Sequence, residues 1–205
     1  MIRVGLTGGY ATGKSFVANE LARMGCHVIY ADDLGHAVLR GDGAAFQPVL
    51  KLFGEEILDE AGEVDRKKLA GIVFHSAVLL EKLTGIVHPA VFDLEERLLR
   101  NFQSEDPLGI AVVEAAILIE TGRDALFDRL IVTACDKETQ IERGMKRDHA
   151  TCAEVQARLA KQWPLEEKKK RAHFVIDTGG AKEDTTRQVK EVYLELRELA
   201  RGGAA

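Results

Sequence analysis

Apolar positions recur along this chain with two different periods. Short, almost wholly apolar runs at residues 2–7, 26–30, 108–113, 128–133 and 174–177 have the length and β-branched content of strands buried on both faces. Between them, apolar residues fall three and four apart. Phe16, Val17, Leu21 and Met24 form one such stripe, Phe46, Val49, Leu50, Leu52 and Phe53 a second, and Leu69, Ile72, Val73 and Phe74 a third. A long helical pattern covers residues 77–102. A last one covers 184–199, with Val189, Val192, Tyr193, Leu196 and Leu199 on its buried side. Strands alternating with helices predict an α/β fold with a parallel central sheet. Residues 34–104 carry little strand signal and predict a helical lobe inserted between the second and third strands.

The first strand runs into Gly8-x4-Gly13-Lys14-Ser15, which fits the phosphate-loop pattern without a mismatch and opens the first helix. Glycines allow positive φ, so successive amides can turn into one concavity beside the positive end of the helix. Lys14 then supplies a point charge for the β- and γ-phosphates, and the Ser15 hydroxyl a ligand for Mg²⁺. A glycine turn with an incidental lysine is the alternative, and the strand–loop–helix setting argues against it.

Four other places on this framework carry candidate chemistry. Asp32 and Asp33 follow the second strand, and ligands of open α/β sheets bind beyond the carboxyl ends of the strands. Either carboxylate could accept a proton from a substrate hydroxyl, or cap a helix over residues 34–39. Glu114 ends the third strand, where an acid can orient Mg²⁺. Arg143 and Arg147 are four apart and share a helix face, which predicts a lid holding polyphosphate; a solvated, ion-paired helix is the alternative. Arg158 on the next helix adds to the first reading. Thr178, Gly179 and Gly180 follow the last strand and offer backbone contacts to a nucleotide, or a plain turn. Asp136 reads as a helix cap, and Lys168 to Arg171 as a solvated helix face.

The 205 residues suffice for one α/β domain with an inserted lobe, and 46% of them are hydrophobic. The net charge of −5 excludes a global basic field for nucleic acid. Cys26, Cys135 and Cys152 show no zinc spacing and are expected as free thiols in a reducing compartment. The longest apolar run, residues 110–119, is interrupted by Glu114 and too short to span a bilayer. The amino terminus moves directly into a strand, so no signal peptide is expected.

The ordered set of motifs resembles the dephospho-CoA kinase family over nearly the whole chain. The residues that carry the likeness are Gly5 to Ser15, Ala31-Asp32, Phe53-Gly54, His88-Pro89, Glu114 to Glu120, Arg143-x3-Arg147-Asp148, Arg158-x3-Gln162 and Val175 to Asp177. The resemblance implies a phosphate-loop three-layer α/β fold with a parallel central sheet, a helical substrate lobe and a helical lid. The corresponding boundaries are a nucleotide-binding core of residues 1–33, 105–138 and 173–205, an acceptor lobe of 34–104, and a lid of 139–172.

The implied reaction is ATP-dependent phosphorylation of the ribose 3′-hydroxyl of dephospho-CoA, the last step of coenzyme A synthesis. Lys14, Asp32 and Arg143 would be catalytic, with Asp33 a rival to Asp32 as base. Gly9, Ala11, Thr12, Gly13, Lys14, Ser15, Phe16, Arg143, Arg147 and Gly179 would hold ATP. Asp32, His36, His88 and Glu114 would hold the acceptor, and Ser15 the Mg²⁺. The chain departs from the family pattern at Phe16, Tyr30, His36 and Ala116. Expected partners are ATP and dephospho-CoA, with no nucleic acid and no membrane, in a cytoplasmic monomer or small homo-oligomer. Two rival readings remain: another small-molecule kinase acting on a nucleoside, sugar or shikimate-like acceptor, or a nucleotide-binding switch. An Asn-Lys-x-Asp guanine motif is absent, which counts against the switch.

Overall fold

The structure is a computed structural model that describes residues 1–202, divided into two compact units: Met1–Ile29 with the chain from Phe102 onward, and Tyr30–Asn101. The first unit is built on a sheet of five strands, β1 (Ile2–Gly8), β2 (His27–Tyr30), β3 (Ile110–Glu114), β4 (Arg129–Ala134) and β5 (Phe174–Asp177). Their order is β2-β3-β1-β4-β5. β1 pairs in parallel with β3, Ile2 opposite Ile110, and with β4, Val4 opposite Arg129; β4 pairs in parallel with β5. β1 is therefore central, and Val4, Leu6, Val112, Val113, Ile131 and Val132 are fully buried, as apolar runs covered on both faces must be.

Helix α1 (Lys14–Arg23) turns its Val17, Ala18 and Leu21 inward. It packs beside the closing helix, which runs from Lys182 to Gly202 and also covers β1, β3 and β5. That closing helix is longer than the sequence pattern indicates. Leu199 is exposed, and Thr185 and Ala200 complete the stripe formed by Val189, Val192 and Leu196. Leu118 and Ile119 pack with Leu130 and Val132 of β4, against Leu165. The fold is the expected three-layer α/β arrangement.

The second unit is helical, as its sequence pattern predicts. It contains α2 (Ala31–Ala37), α3 (Phe46–Phe53), α4 (Arg66–Phe74) and most of α5 (Ala77–Glu105). Its core is built from Leu34, Val38, Val49, Phe53, Ile57 and Leu69, all buried. Asp65 caps α4 by accepting from the Lys67 and Lys68 amides at 2.8 and 3.2 Å. α2 differs from the expected helix over 34–39. It starts at Ala31, straight off β2, and its N-cap is Tyr30, which makes no side-chain cap. Asp32 and Asp33 are thus exposed first-turn residues and not caps. Among the described residues no helix is long and apolar enough to cross a membrane.

Candidate active site

The phosphate loop is shaped by what surrounds its first glycine. A Cβ on Gly8 would lie 2.6 Å from the Thr133 carbonyl oxygen, so no larger residue fits where β1 leaves the sheet. The loop then takes two left-handed steps, Ala11 at φ 57° and Gly13 at φ 77°. Gly13 accepts this freely, whereas Ala11 carries strain of about 1 kcal/mol. The Thr12 hydroxyl bonds to the Gly9 carbonyl at 2.8 Å and to the Thr133 hydroxyl at 2.7 Å, both buried. Lys14 Nζ donates to the Gly9 carbonyl at 3.1 Å, which holds the ammonium over the loop. α1 opens at Lys14 and leaves the Ser15 side chain exposed in its first turn.

Helix α6 (Lys137–Asp148) brings the arginines to this loop. Asp136 caps it as expected, accepting from the Thr139 amide at 2.6 Å; that bond and the Thr139 hydroxyl lower the Asp136 pKa. Arg143 donates from Nη2 to the Thr178 carbonyl at 2.6 Å and from Nη1 to the Thr178 hydroxyl at 3.3 Å. The Thr178 hydroxyl lies 2.9 Å from the Thr12 carbonyl, so the turn after β5, the loop and α6 are joined at one buried residue. Residues 11–16 with Arg143 and Arg147 enclose a hollow of about 270 Å³. Two guanidiniums, one ammonium and a helix amino terminus around such a hollow suit a polyphosphate.

α7 (Cys152–Leu159), which starts with a Thr151–Glu154 capping box, brings Arg158 to Tyr10. Asp148 accepts from Arg147 Nε at 2.7 Å, and also from Arg158 and the Tyr10 hydroxyl. Its pKa is held well below the usual carboxylate range, chiefly by Arg147 and then by Tyr10. Arg147 also stacks over the Tyr10 ring, 4.8 Å from its centre.

Lys168 is not on a solvated face. Its side chain is 0% exposed, and its Nζ meets Glu120 Oε1 at 2.7 Å, the Ala116 carbonyl at 3.0 Å and the Gly8 carbonyl at 3.4 Å. All three ammonium protons are used beneath the loop. Its neighbours Lys169 and Lys170 do pair at the surface, with Glu166 and Glu167. Glu120 Oε1 also accepts from the Trp163 amide at 3.2 Å. Lys168→Met is expected to destabilise the protein by about 3–5 kcal/mol in chemical denaturation, because it strands the Glu120 carboxylate. The double change Lys168→Met with Glu120→Leu should recover most of that loss. An equally unstable double variant would show that the stranded charge is not the cause.

The remaining predicted residues lie in several places. Gly9 sits under the loop, with its carbonyl accepting from Thr12 and Lys14. Gly179 follows β5, its amide bonded to Asp177 at 2.8 Å, and it does not line the hollow; its neighbour Thr178 makes the contact to Arg143. Glu114 is the buried last residue of β3, opposite Leu6. Asp32 and Asp33 begin α2 in the helical unit. In that unit His36 lines a cleft with Arg40, Glu63 and Arg66. His88 lines a separate apolar one beside Phe92, ring centres 5.6 Å apart. Sequence reasoning passed over Tyr10 and the Glu120–Lys168 pair, and read Thr178 only as part of the turn after the last strand, without its bonds to Arg143 and Thr12.

The chain matches the family described as CoaE, dephospho-CoA kinase, over residues 2–184. It is 43% identical to a dephospho-CoA kinase of Aquifex aeolicus over 196 residues, covering 96% of this chain and 98% of that one. A solved structure from Thermus thermophilus superposes with a TM-score of 0.79 at 34% identity, over 95% of this chain and 97% of the other. The dephospho-CoA kinase of Campylobacter jejuni gives 0.65 at 26% identity, over 95% and 96%. A likeness that runs end to end, and not through the phosphate loop alone, makes this chain a member of the dephospho-CoA kinase family.

Proposed function

We propose that this protein transfers the γ-phosphoryl group of ATP to the ribose 3′-hydroxyl of dephospho-CoA, giving CoA and ADP. ATP-dependent phosphorylation of dephospho-CoA is the reaction of its family. The observation that carries the reading within this chain is the hollow in which residues 11–16 meet Arg143 and Arg147. The loop amides and Lys14 bind the β- and γ-phosphates, and Arg143 balances charge on the transferring group. The 3′-oxygen attacks phosphorus as the bond to the β-phosphate oxygen breaks. The hydroxyl proton passes to Asp32, and ADP leaves.

Residues 34–104 serve in this reading as the acceptor lobe, with His36 and His88 among the contacts, and residues 139–172 as the lid. The metal that accompanies ATP is Mg²⁺, a hard cation that takes few protein ligands and keeps phosphate and water oxygens. The exposed Ser15 hydroxyl, one residue after Lys14, is a donor of the right kind. When bound, Mg²⁺ neutralises phosphate charge. Cys26, Cys135 and Cys152 are all free, which suits a cytoplasmic enzyme.

The test is a coupled ADP-release assay with Mg-ATP, comparing dephospho-CoA with nucleosides, sugars and shikimate. Turnover with dephospho-CoA alone, and product phosphorylated at the 3′ position, is the expected result. No stimulation by dephospho-CoA in a folded sample that binds ATP would overturn it.

A further inference from the structure

Tyr10 stands inside the phosphate loop, yet both of its ends are held by a flap made of α6, α7 and the turn after α7. Its backbone amide donates to Gln162 Oε1 at 2.7 Å, just beyond α7. Its hydroxyl donates to Asp148 at the end of α6, and accepts from Arg158 Nη1 of α7 at 2.9 Å. Its ring lies against Gly144, where a Cβ would come 2.5 Å from ring carbon Cε1. Arg147 lies over the ring, 4.8 Å from its centre, and is bound to the same Asp148 carboxylate, at 2.7 and 3.2 Å. Arg147 also lines the hollow over residues 11–16. One phenol therefore reaches Arg158 directly and Arg147 through the Asp148 carboxylate that both arginines share.

We infer that Tyr10 is a positioning residue for ATP, tying the flap helices to the phosphate loop so that Arg147 is set over the phosphates before nucleotide arrives. The ring supplies a flat surface for Arg147, and the hydroxyl fixes the Asp148 carboxylate that orients both arginines. The bonds are charge-assisted, and Asp148 is held ionised by the partners it orients. Without the hydroxyl, the flap is no longer preorganised, and ordering it falls to ATP binding. Dephospho-CoA has no part in that ordering.

This inference rests on the hollow being the ATP phosphate site, and the experiment separates the two. Calorimetric Mg-ATP affinity is measured without dephospho-CoA for the wild type, Tyr10→Phe, Asp148→Asn and the double variant, together with both KM values and the thermal midpoint. Tyr10→Phe is expected to weaken ATP binding and raise its KM by about tenfold, the effect of losing one hydrogen bond to a charged group. The dephospho-CoA KM should stay within about twofold and the thermal midpoint within about 3 °C, a shift of roughly 1 kcal/mol for a chain of this size. In the Asp148→Asn background the same change should add little, since both act through one contact. Equal ATP affinity in Tyr10→Phe and wild type would overturn the inference and leave the proposed function standing. A matched rise in both KM values with a falling midpoint, or additive effects in the double variant, would also overturn it. A wild type that binds no ATP would sink the function and the inference together.

Discussion

Arg143→Ala is expected to lower kcat by roughly 10³- to 10⁵-fold, the range seen when an arginine that stabilises a transferring phosphoryl group is removed. The geometry gives this arginine two roles to separate. Its fork grips the Thr178 carbonyl at 2.6 Å and hydroxyl at 3.3 Å, which fixes the guanidinium beside the loop. It also borders the hollow that residues 11–16 form. If the grip on Thr178 were its main contribution, Arg143→Ala would lower the thermal midpoint and leave kcat nearly unchanged. If it balances charge on the phosphoryl group, kcat collapses while the midpoint moves little. Arg143→Lys should restore little, because an ammonium cannot reproduce two fixed contacts and still present donors to a phosphate. Near-normal turnover in Arg143→Ala would remove this residue from the mechanism.

Asp32→Asn is expected to reduce turnover by about 10²- to 10⁴-fold, the usual contribution of a general base. The ATP affinity measured by calorimetry should hardly change, since the amide replaces the carboxylate with the same shape. Asp33→Asn is the informative companion. Both residues are exposed in the first turn of α2. Successive residues on a helix point about 100° apart, so one hydroxyl can be served by only one of them. A greater loss at Asp33 than at Asp32 would reverse the assignment. Comparable losses at both would point to a shared electrostatic contribution in place of a single base.

The strand–loop–helix at the amino terminus was legible because its signal is local: an apolar run, two fixed glycines, Lys14 and Ser15 within fourteen residues of sequence. The five strands and the helical stretch between the second and third were legible for the same reason, through period alone. Three features were not. Lys168 looks like its neighbours in a basic run, and its burial is decided by Glu120 and the carbonyl oxygens of Ala116 and Gly8, all remote in sequence. The start of α2 was misread because Asp is a favoured cap, while here the helix follows β2 with no intervening turn. Tyr10 was hidden because its role is defined by Asp148, Arg158 and Gln162, more than a hundred residues away. Arg143 and Arg147 fall between these cases. Their shared face was readable, and the separate anchors that hold them, Thr178 for one and Asp148 for the other, were not.

The central place of β1 in the sheet has a consequence for how the protein is made. The strand that carries the phosphate loop leaves the ribosome before the other four strands of the sheet, yet its two neighbours are β3, from Ile110, and β4, from Arg129. At a synthesis rate of about 5–20 residues per second, this apolar strand waits several seconds for either partner. The helical unit from Tyr30 to Asn101 emerges in the meantime as a compact unit of its own. The nucleotide end of the molecule is thus begun first and closed last, which makes the nascent chain before β4 the stage at which an unpaired, apolar β1 is most open to chaperones and to aggregation.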